Sequence, residues 1–410
     1  MGEIIRTITF TTLYPNSARP RHGIFIEQRL RHLLQSGEVE SRVVAPSAWF
    51  PSGSSRFGGW SVFGRVPPWE ERHGIAILYP RYLLIPKLGM SLAPLTMALA
   101  ALPALVRMIR RGFDFDVIDA HYLYPDGVAA AILGHWLDKP VIVSVLGDDV
   151  ITLPRFRLPR RMILWAVNRC AGVTTVCQAL KDRLVEVGAP AKKIRVVLHG
   201  VDPALFQPVD REEVRRRLGL TGRVLLSVGH LTKRKGHHLA IQALPELPGT
   251  TLLIAGDGWM EGELRELARS LGLEDRVRFL GHVEQEDLKE YYGAADALVL
   301  ASSREGIANV LIESMACGTP VIATPVWGTP EAVTVPEAGV LMRDRSAAAL
   351  VEAAERLFAA YPDREATRRH AATFTWERTS REHLEVLRAA VGRPQPEQPE
   401  MTTSGGFRIA

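Results

Sequence analysis

Short apolar runs rich in Val and Ile recur along this chain, and a longer stretch with helical spacing follows most of them. That alternation constrains the fold more than any other feature. Ile4–Thr11, Arg42–Ala45, Ile75–Tyr79, Val117–Ala120, Val141–Val145, Val173–Val176 and Arg195–Leu198 read as strands. Their apolar runs are continuous, as in parallel sheets covered by helices on both faces. Helical patterns such as Phe25–Gln35 and Asp126–Leu137 lie between them. The pattern then restarts, with strands at Val224–Val228, Thr251–Ala255, Val277–Leu280, Ala297–Leu300 and Val321–Ala323. Helical patterns at Gly236–Ala243, Trp259–Ser270, Gln285–Tyr292 and Asn309–Cys317 follow most of these. Strand–helix alternation predicts a doubly wound α/β unit, and its restart predicts two of them.

The turn-rich Gly200-Val201-Asp202-Pro203 marks the boundary, giving an N-terminal unit over 1–202 and a C-terminal unit over 203–375. A final helix is predicted over 376–391, packing back on the first unit. The Pro- and Gly-containing tail, 392–410, has a composition that predicts disorder. Two Rossmann-like units place their ligand-binding sheet edges opposite each other, so the functional cleft is expected between them. No Gly-x-Gly-x-x-Gly follows a strand, which argues against a nicotinamide or flavin site.

Charge is uneven. Residues 1–200 carry 25 Lys+Arg against 15 Asp+Glu, a net +10, whereas residues 201–410 are net −5. The basic half suits phosphate groups, anionic lipid or an acidic acceptor; solvated Arg-rich helix faces are the plain alternative. Zinc spacing, an RNA-binding aromatic signature and a continuous basic arm are all missing, so nucleic acid is not expected as a partner. The three cysteines, Cys170, Cys177 and Cys317, form no CxxC pair and fit a reducing cytosol. The first residues carry no signal-peptide core and read as a strand.

Leu88–Val106 is a charge-free apolar stretch of 19 residues. Pro94 and Pro103 interrupt it, and Arg107, Arg110 and Arg111 follow. The prolines predict a buried helix pair and argue against a membrane span. A segment lying on a membrane surface is the second reading.

The chemistry concentrates in Ser302–Thr324, SSREGIANVLIESMACGTPVIAT. Glu305 lies in a loop after a strand, and a helix is predicted to start at Ala308 or Asn309, with Glu313 in its early part. Gly318 and Pro320 end it. The space before such a helix is electropositive and suits a phosphate. Carboxylates are suited to accepting hydrogen bonds from sugar hydroxyls. The pairing fits a molecule with both groups. A second segment, SVGHLTKRKG over 227–236, places His230, Lys233, Arg234 and Lys235 in a loop before another helix, where cations can stabilise a leaving diphosphate.

Glu305-Gly306 followed by Glu313 and Ala316-Cys317-Gly318-Thr319-Pro320 resembles the E-x7-E signature of the family-4 glycosyltransferases. The chain looks most similar to their teichuronic-acid and exopolysaccharide-type bacterial members, and the resemblance covers about residues 5–375. It implies the GT-B fold and a retaining, hexosyltransferase-like transfer from a UDP- or GDP-type sugar, with no cofactor and no metal. It implies that Glu313 holds the donor's ribose and that Glu305 lies beside the transferred sugar. Gly306, Ile307, Ala308 and Asn309 would line the donor site. Lys235 matches the family's phosphate-binding Lys, while His230 stands where the family has Arg and offers one donor instead of five. Gly258, in IAGDG, and His282-Val283 resemble segments beside the nucleotide base. His199 replaces the usual Asn at the domain junction.

In the first unit, the loop Tyr14–Phe25 has one glycine, Gly23, where the family often has two. His121 aligns with a His near the reacting sugar, and Asp148 and Asp149 resemble an element that positions the acceptor or caps a helix. The catalytic candidates are therefore His121, Glu305 and Lys235. The expected partners are a nucleotide-sugar donor and a glycan or lipid-linked acceptor, with contact to the inner face of the cell membrane and a cytoplasmic location. A nucleotide-sugar epimerase and a non-catalytic nucleotide-sugar sensor are the alternatives.

Overall fold

The computed structural model describes residues 3–84 and 89–393. The first half supplies β1 (Ile5–Phe10), β2 (Val39–Val44), β3 (Ser47–Ala48), β4 (Trp69–Arg72) and β5 (Ile75–Leu78). It continues with β6 (Arg81–Tyr82), β7 (Val117–His121), β8 (Val141–Val145), β9 (Gly172–Thr175) and β10 (Ile194–Val196). Eight of these make one sheet in the order β10-β9-β8-β7-β1-β2-β5-β4, while β3 and β6 pair separately. Every pairing in the large sheet is parallel except that of β4 with β5. Each residue of β7 and β8 is buried; β8 is apolar apart from Ser144, as expected of a strand covered on both faces, while β7 also buries Asp119 and His121.

The second half supplies β11 (Arg223–Val228), β12 (Thr250–Ala255), β13 (Val277–Gly281), β14 (Ala297–Leu300), β15 (Val321–Ala323) and β16 (Gly339–Leu341). They form a parallel sheet in the order β13-β12-β11-β14-β15-β16. That is the Rossmann strand order. The polar strand β4 escapes a search for apolar runs. It is an edge strand joined to β5 by His73-Gly74, both with positive φ, a two-residue turn suited to a tight hairpin.

The apolar stretch differs from expectation. Gly89–Arg110 is one helix with Pro94 and Pro103 inside it, not a helix pair, and Leu88 lies outside the described residues. Met97, Ala98, Ala101, Leu105 and Met108 are buried along one side. Burying a large apolar side chain contributes about 1.5–3 kcal/mol, and several such side chains offset about 3 kcal/mol per interior proline. The helix is long and apolar enough to cross a membrane by length and composition alone. Leu92, Leu95 and Leu99 are exposed on it.

The last helix, Trp376–Ala390, starts at Thr375, whose hydroxyl accepts from the Arg378 amide. It returns to the first sheet. Leu384, Val386 and Leu387 pack with Ile5, Leu33, Val39, Val117 and Ile142. Arg195–Glu385 and Arg388–Glu38 ion pairs fasten it at the surface. Where the chain crosses between the two sheets, a side chain at Gly200 would strike the Trp376 amide at 2.4 Å. Gly392 and Arg393 finish the helix's last turn, and the rest of the tail, 394–410, lies outside the described residues.

Candidate active site

Among its parallel strands each sheet reverses its order once, between β1 and β7 in the first and between β11 and β14 in the second. Loops leaving the two strands on either side of a reversal diverge and open a crevice. In the second sheet those loops carry Lys235, after β11, and Glu305, after β14. In the first they carry Gly23, after β1, and His121, at the end of β7. Topology thus gathers residues from 23 to 305.

Lys235 Nζ donates to Glu305 Oε1 at 2.7 Å, and Arg234 Nη1 donates to the same oxygen at 3.2 Å. Arg234 also holds the Arg304 carbonyl at 2.9 Å. Burial works to raise the Glu305 carboxyl, but the two cations outweigh it and hold it below its ordinary value. Glu305 is therefore a carboxylate at neutral pH. Gly236 follows with φ 79°, and a side chain there would meet the Ala301 carbonyl at 2.0 Å. This glycine lets the Lys235 loop lie against the end of β14.

Helix Asn309–Ala316 begins beside this cluster at Ala308, and no side chain caps it. Glu313 sits in it, 8% exposed. Tyr292 Oη donates to Glu313 Oε2 at 2.8 Å. Burial raises the Glu313 carboxyl to about 7, against the opposing hydrogen bonds from Tyr292 and Gln285. Glu305 and Glu313 thus differ in kind: one is held ionised by cations, the other sits near its midpoint at neutral pH. Glu313 borders a small pocket shared with Gln28, Asp202, Phe206, Gln285, Asn309 and Trp376.

The other second-domain candidates lie around this crevice. His230 is 79% exposed at its side chain, with Nδ1 3.4 Å from Asp257 Oδ1. Arg21 of the first domain reaches the same carboxylate at 3.9 Å. Gly258 is where the Leu231 backbone packs; a side chain would meet the Leu231 carbonyl at 2.5 Å. His282 pairs with Glu284 at 3.2 Å, just beyond β13, and Val283 packs on the core. Ile307 and Ala308 are buried. Asn309 Oδ1 meets His199 Nδ1 at 3.3 Å.

On the opposing face, Gly23 has φ 77°, and a side chain would meet the Leu13 carbonyl at 2.1 Å. The loop after β1 therefore needs a glycine there. His121 is buried; its Nε2 lies 3.4 Å from Asp119 Oδ2 and its Nδ1 has no partner. Asp148 forms an ion pair with Arg304 across the cleft at 3.1 Å. Asp149, paired with it in the sequence reading as an acceptor residue, has a different task. It is fully buried and accepts from the Leu123 and Gly147 amides at 2.8 and 2.7 Å. Burial raises it to about 6 despite these bonds. It holds together the loops after β7 and β8.

The two faces touch. Gly306 lies against Leu146, where a side chain would meet the carbonyl at 2.5 Å. Gln28 Nε2 donates to Gln285 Oε1 at 2.8 Å. Glu331 accepts from the Gln178 and Ala179 amides at 2.7 and 2.9 Å, capping helix Gln178–Val187 from the other domain. Tyr292, Gln285, Arg304 and Glu331 carried no sequence signal, because each acts through a contact distant in the chain. Asp119 did carry one: it lies two residues before His121, on the same face of a strand.

Two Rossmann-type units facing across a cleft, with a final helix returning to the first, define the GT-B architecture of glycosyltransferases. The "Glycosyltransferase Family 4" profile matches residues 24–205, and "Glycosyl transferases group 1" matches residues 210–374. The putative teichuronic acid biosynthesis glycosyltransferase TuaC of Bacillus subtilis is 29% identical over 365 residues, 86% of this chain and 89% of its own. The D-inositol 3-phosphate glycosyltransferase of Corynebacterium urealyticum is 30% identical, covering 77% and 82%. Sucrose-phosphate synthase from Thermosynechococcus elongatus shares the fold, with TM-score 0.74 at 21% identity over 94% of this chain and 98% of its own. Anabaena Alr3699/HepE in complex with UDP shares it too, with TM-score 0.71 at 20% identity over 94% and 99%. The chain belongs to the family-4, group-1 glycosyltransferases, and it is a glycosyltransferase.

Proposed function

We propose that this enzyme moves a sugar, with retention of configuration, from a nucleotide diphosphate sugar to a lipid-linked glycan or similar cell-envelope precursor. The observation that carries the reading is the cluster at the second sheet's reversal. There Lys235 and Arg234 converge on Glu305 beside the uncapped start of helix 309–316. The name of TuaC, a putative teichuronic acid biosynthesis glycosyltransferase, supports a cell-envelope acceptor, and the complex of HepE with UDP supports a UDP-type donor. The matched segments support division near residue 202, with the donor domain over 203–375.

In this reading the donor diphosphate lies at the start of helix 309–316 and draws Lys235 and Arg234 from Glu305. Fixed cations and backbone N–H groups then stabilise the charge that develops on the leaving phosphate. Glu313 accepts from the ribose hydroxyls. The Glu305 carboxylate faces the positive charge growing at the anomeric carbon. The acceptor oxygen bonds to that carbon as its bond to the phosphate oxygen breaks. The acceptor proton passes to the departing phosphate oxygen on the same face. His121 accepts from a hydroxyl of the transferred sugar, and Asp148 borders the acceptor side.

The membrane contact we assign to an anionic bilayer, at the inner face of the cell membrane. Exposed Leu92, Leu95 and Leu99 lie on the helix whose last turn carries Arg107 and Arg110, with Arg111 directly after it. Exposed Phe156 and Leu158 lie among Arg155, Arg157, Arg160 and Arg161. Apolar side chains flanked by arginines are complementary to such a surface.

A thermal-shift screen against UDP-, GDP-, ADP- and dTDP-sugars tests the donor site, because a bound ligand raises the melting temperature. The donor that binds is then incubated with and without a lipid-linked acceptor, and the product's anomeric configuration is read by NMR. Inversion, or turnover of donor without acceptor, overturns the proposal; the second outcome identifies an epimerase.

A further inference from the structure

Beneath the cleft lies a buried polar chain that the transfer scheme leaves unused. His383, on the returning helix 376–390, is 1% exposed. Its Nε2 lies 2.7 Å from Asp119 Oδ2, and its Nδ1 lies 3.0 Å from Arg29 Nη2. Asp119 Oδ2 is also 3.4 Å from His121 Nε2. Arg29 comes from helix Ile24–Leu34, Asp119 and His121 from β7. Three separate elements thus join in one buried polar chain.

The protonation pattern follows from donor and acceptor counting. A guanidinium only donates, so the His383 nitrogen facing Arg29 must be a bare Nδ1. The His383 proton is then on Nε2 and points at Asp119. Burial works to raise Asp119, but hydrogen bonds from the ring N–H groups of His383 and His121 help to hold it well below the usual carboxylate range, so it is ionised. Burial lowers His383, with Arg29 adding to it and Asp119 opposing, so the ring is neutral. Arg29 is lowered to about 10 by burial and stays charged, with Asp119 and Glu382 opposing that shift. The chain is a buried ion pair bridged by a neutral imidazole. Asp119 faces His121 Nε2, so the proton of the neutral ring belongs on that nitrogen, and His121 Nδ1 is buried without a partner.

We infer that His383 is a positioning residue: through Asp119 it fixes His121 with its proton on Nε2 and a bare Nδ1, the acceptor for a hydroxyl of the transferred sugar. The inference rests on the reading of His121 given above. It assigns the returning helix a task beyond packing, because the helix supplies the residue that orders a group in the cleft. His199 also faces this region and is neutral at working pH, since burial lowers it to about 3. It adds no competing charge.

The test compares His383→Gln and His383→Leu. A glutamine can donate to Asp119 and accept from Arg29, whereas leucine can do neither. Long-range nitrogen–proton NMR of the imidazoles in the free enzyme reads the His121 tautomer directly. We expect the Nε2–H form in the wild type and in His383→Gln, and a mixture in His383→Leu. With donor and acceptor, His383→Leu loses about 10²-fold in kcat, the scale of a small misplacement of a reacting group. Its donor-induced thermal shift stays that of the wild type, and His383→Gln recovers most of the turnover. Should His383→Leu fail to fold, Asp119→Asn is read in its place. Its amide NH₂ can donate to an imidazole, so His121 should swap its proton to Nδ1. An unchanged tautomer in His383→Leu, or in Asp119→Asn where His383→Leu does not fold, overturns the inference. Should the tautomer change while His121→Ala keeps full turnover, the reading of His121 fails instead.

Discussion

Replacing Glu313 with Gln separates a binding carboxylate from a structural one, because it should make the protein more stable and less able to bind its donor. In the folded chain burial raises this carboxyl from 4.5 to about 7. The folded form therefore holds the proton more tightly than the unfolded form does. Stability is unaffected by this group below pH 4.5, falls as pH rises from 4.5 to about 7, and stays at the lower level above. At about 1.4 kcal/mol per pKa unit, the ionised carboxylate costs the fold about 3 kcal/mol at pH 8. Glutamine has nearly the same shape and can still accept from Tyr292, but it cannot ionise. The variant should melt higher than wild type by about 5–10 °C at pH 8. Most of that difference should vanish at pH 5. Two hydrogen bonds to a charged acceptor, at about 1.5 kcal/mol each, are lost from the ribose, so donor affinity at pH 8 should fall about 10²-fold. Differential scanning fluorimetry at the two pH values and calorimetric titration of the donor measure both effects. A lower melting temperature at pH 8, or unchanged donor affinity, would refute the assignment of Glu313.

Lys235→Ala should abolish the donor-induced thermal shift, because it removes the cation closest to Glu305 and to the leaving phosphate; a shift equal to the wild type's would exclude Lys235 from the site. His230→Arg should tighten donor binding, measured as Kd by calorimetric titration, because guanidinium offers five donors where imidazole offers one. Changing Leu92, Leu95 and Leu99 together to Ser should abolish flotation with anionic vesicles. It should leave the melting temperature within about 1 °C, as all three side chains are exposed. Glu331→Ala removes the cap that ties helix 178–187 to the second domain, costing about 1–2 kcal/mol, and small-angle scattering should report a larger radius of gyration without donor.

Strand–helix alternation made both Rossmann units legible, since burial on two faces leaves runs such as Val141–Val145 apolar but for Ser144. Local spacing likewise marked Glu305, Glu313 and Lys235, because a loop and the helix after it lie within a few residues of each other. Pro94 and Pro103 misled for the opposite reason. Their local cost was readable, whereas the burial of Met97 and Leu105 that offsets it depends on elements packed against the helix from elsewhere in the chain, helix Val128–Leu137 above all. Asp148 and Asp149 show the same limit, since neighbouring identical residues gave no sign that one faces Arg304 and the other is buried against backbone amides.

By itself, then, the sequence determined the fold class through periodicity, and through the resemblance of short motifs to a known family it pointed to the cationic and carboxylate groups. Tertiary structure alone decided their states. It put two cations on Glu305 and a tyrosine hydroxyl on Glu313, so that equal side chains hold unequal charge. It also brought His383 to Asp119 across 264 positions. Charge state depends on burial and on partners at hydrogen-bonding distance, and those are properties of the folded chain.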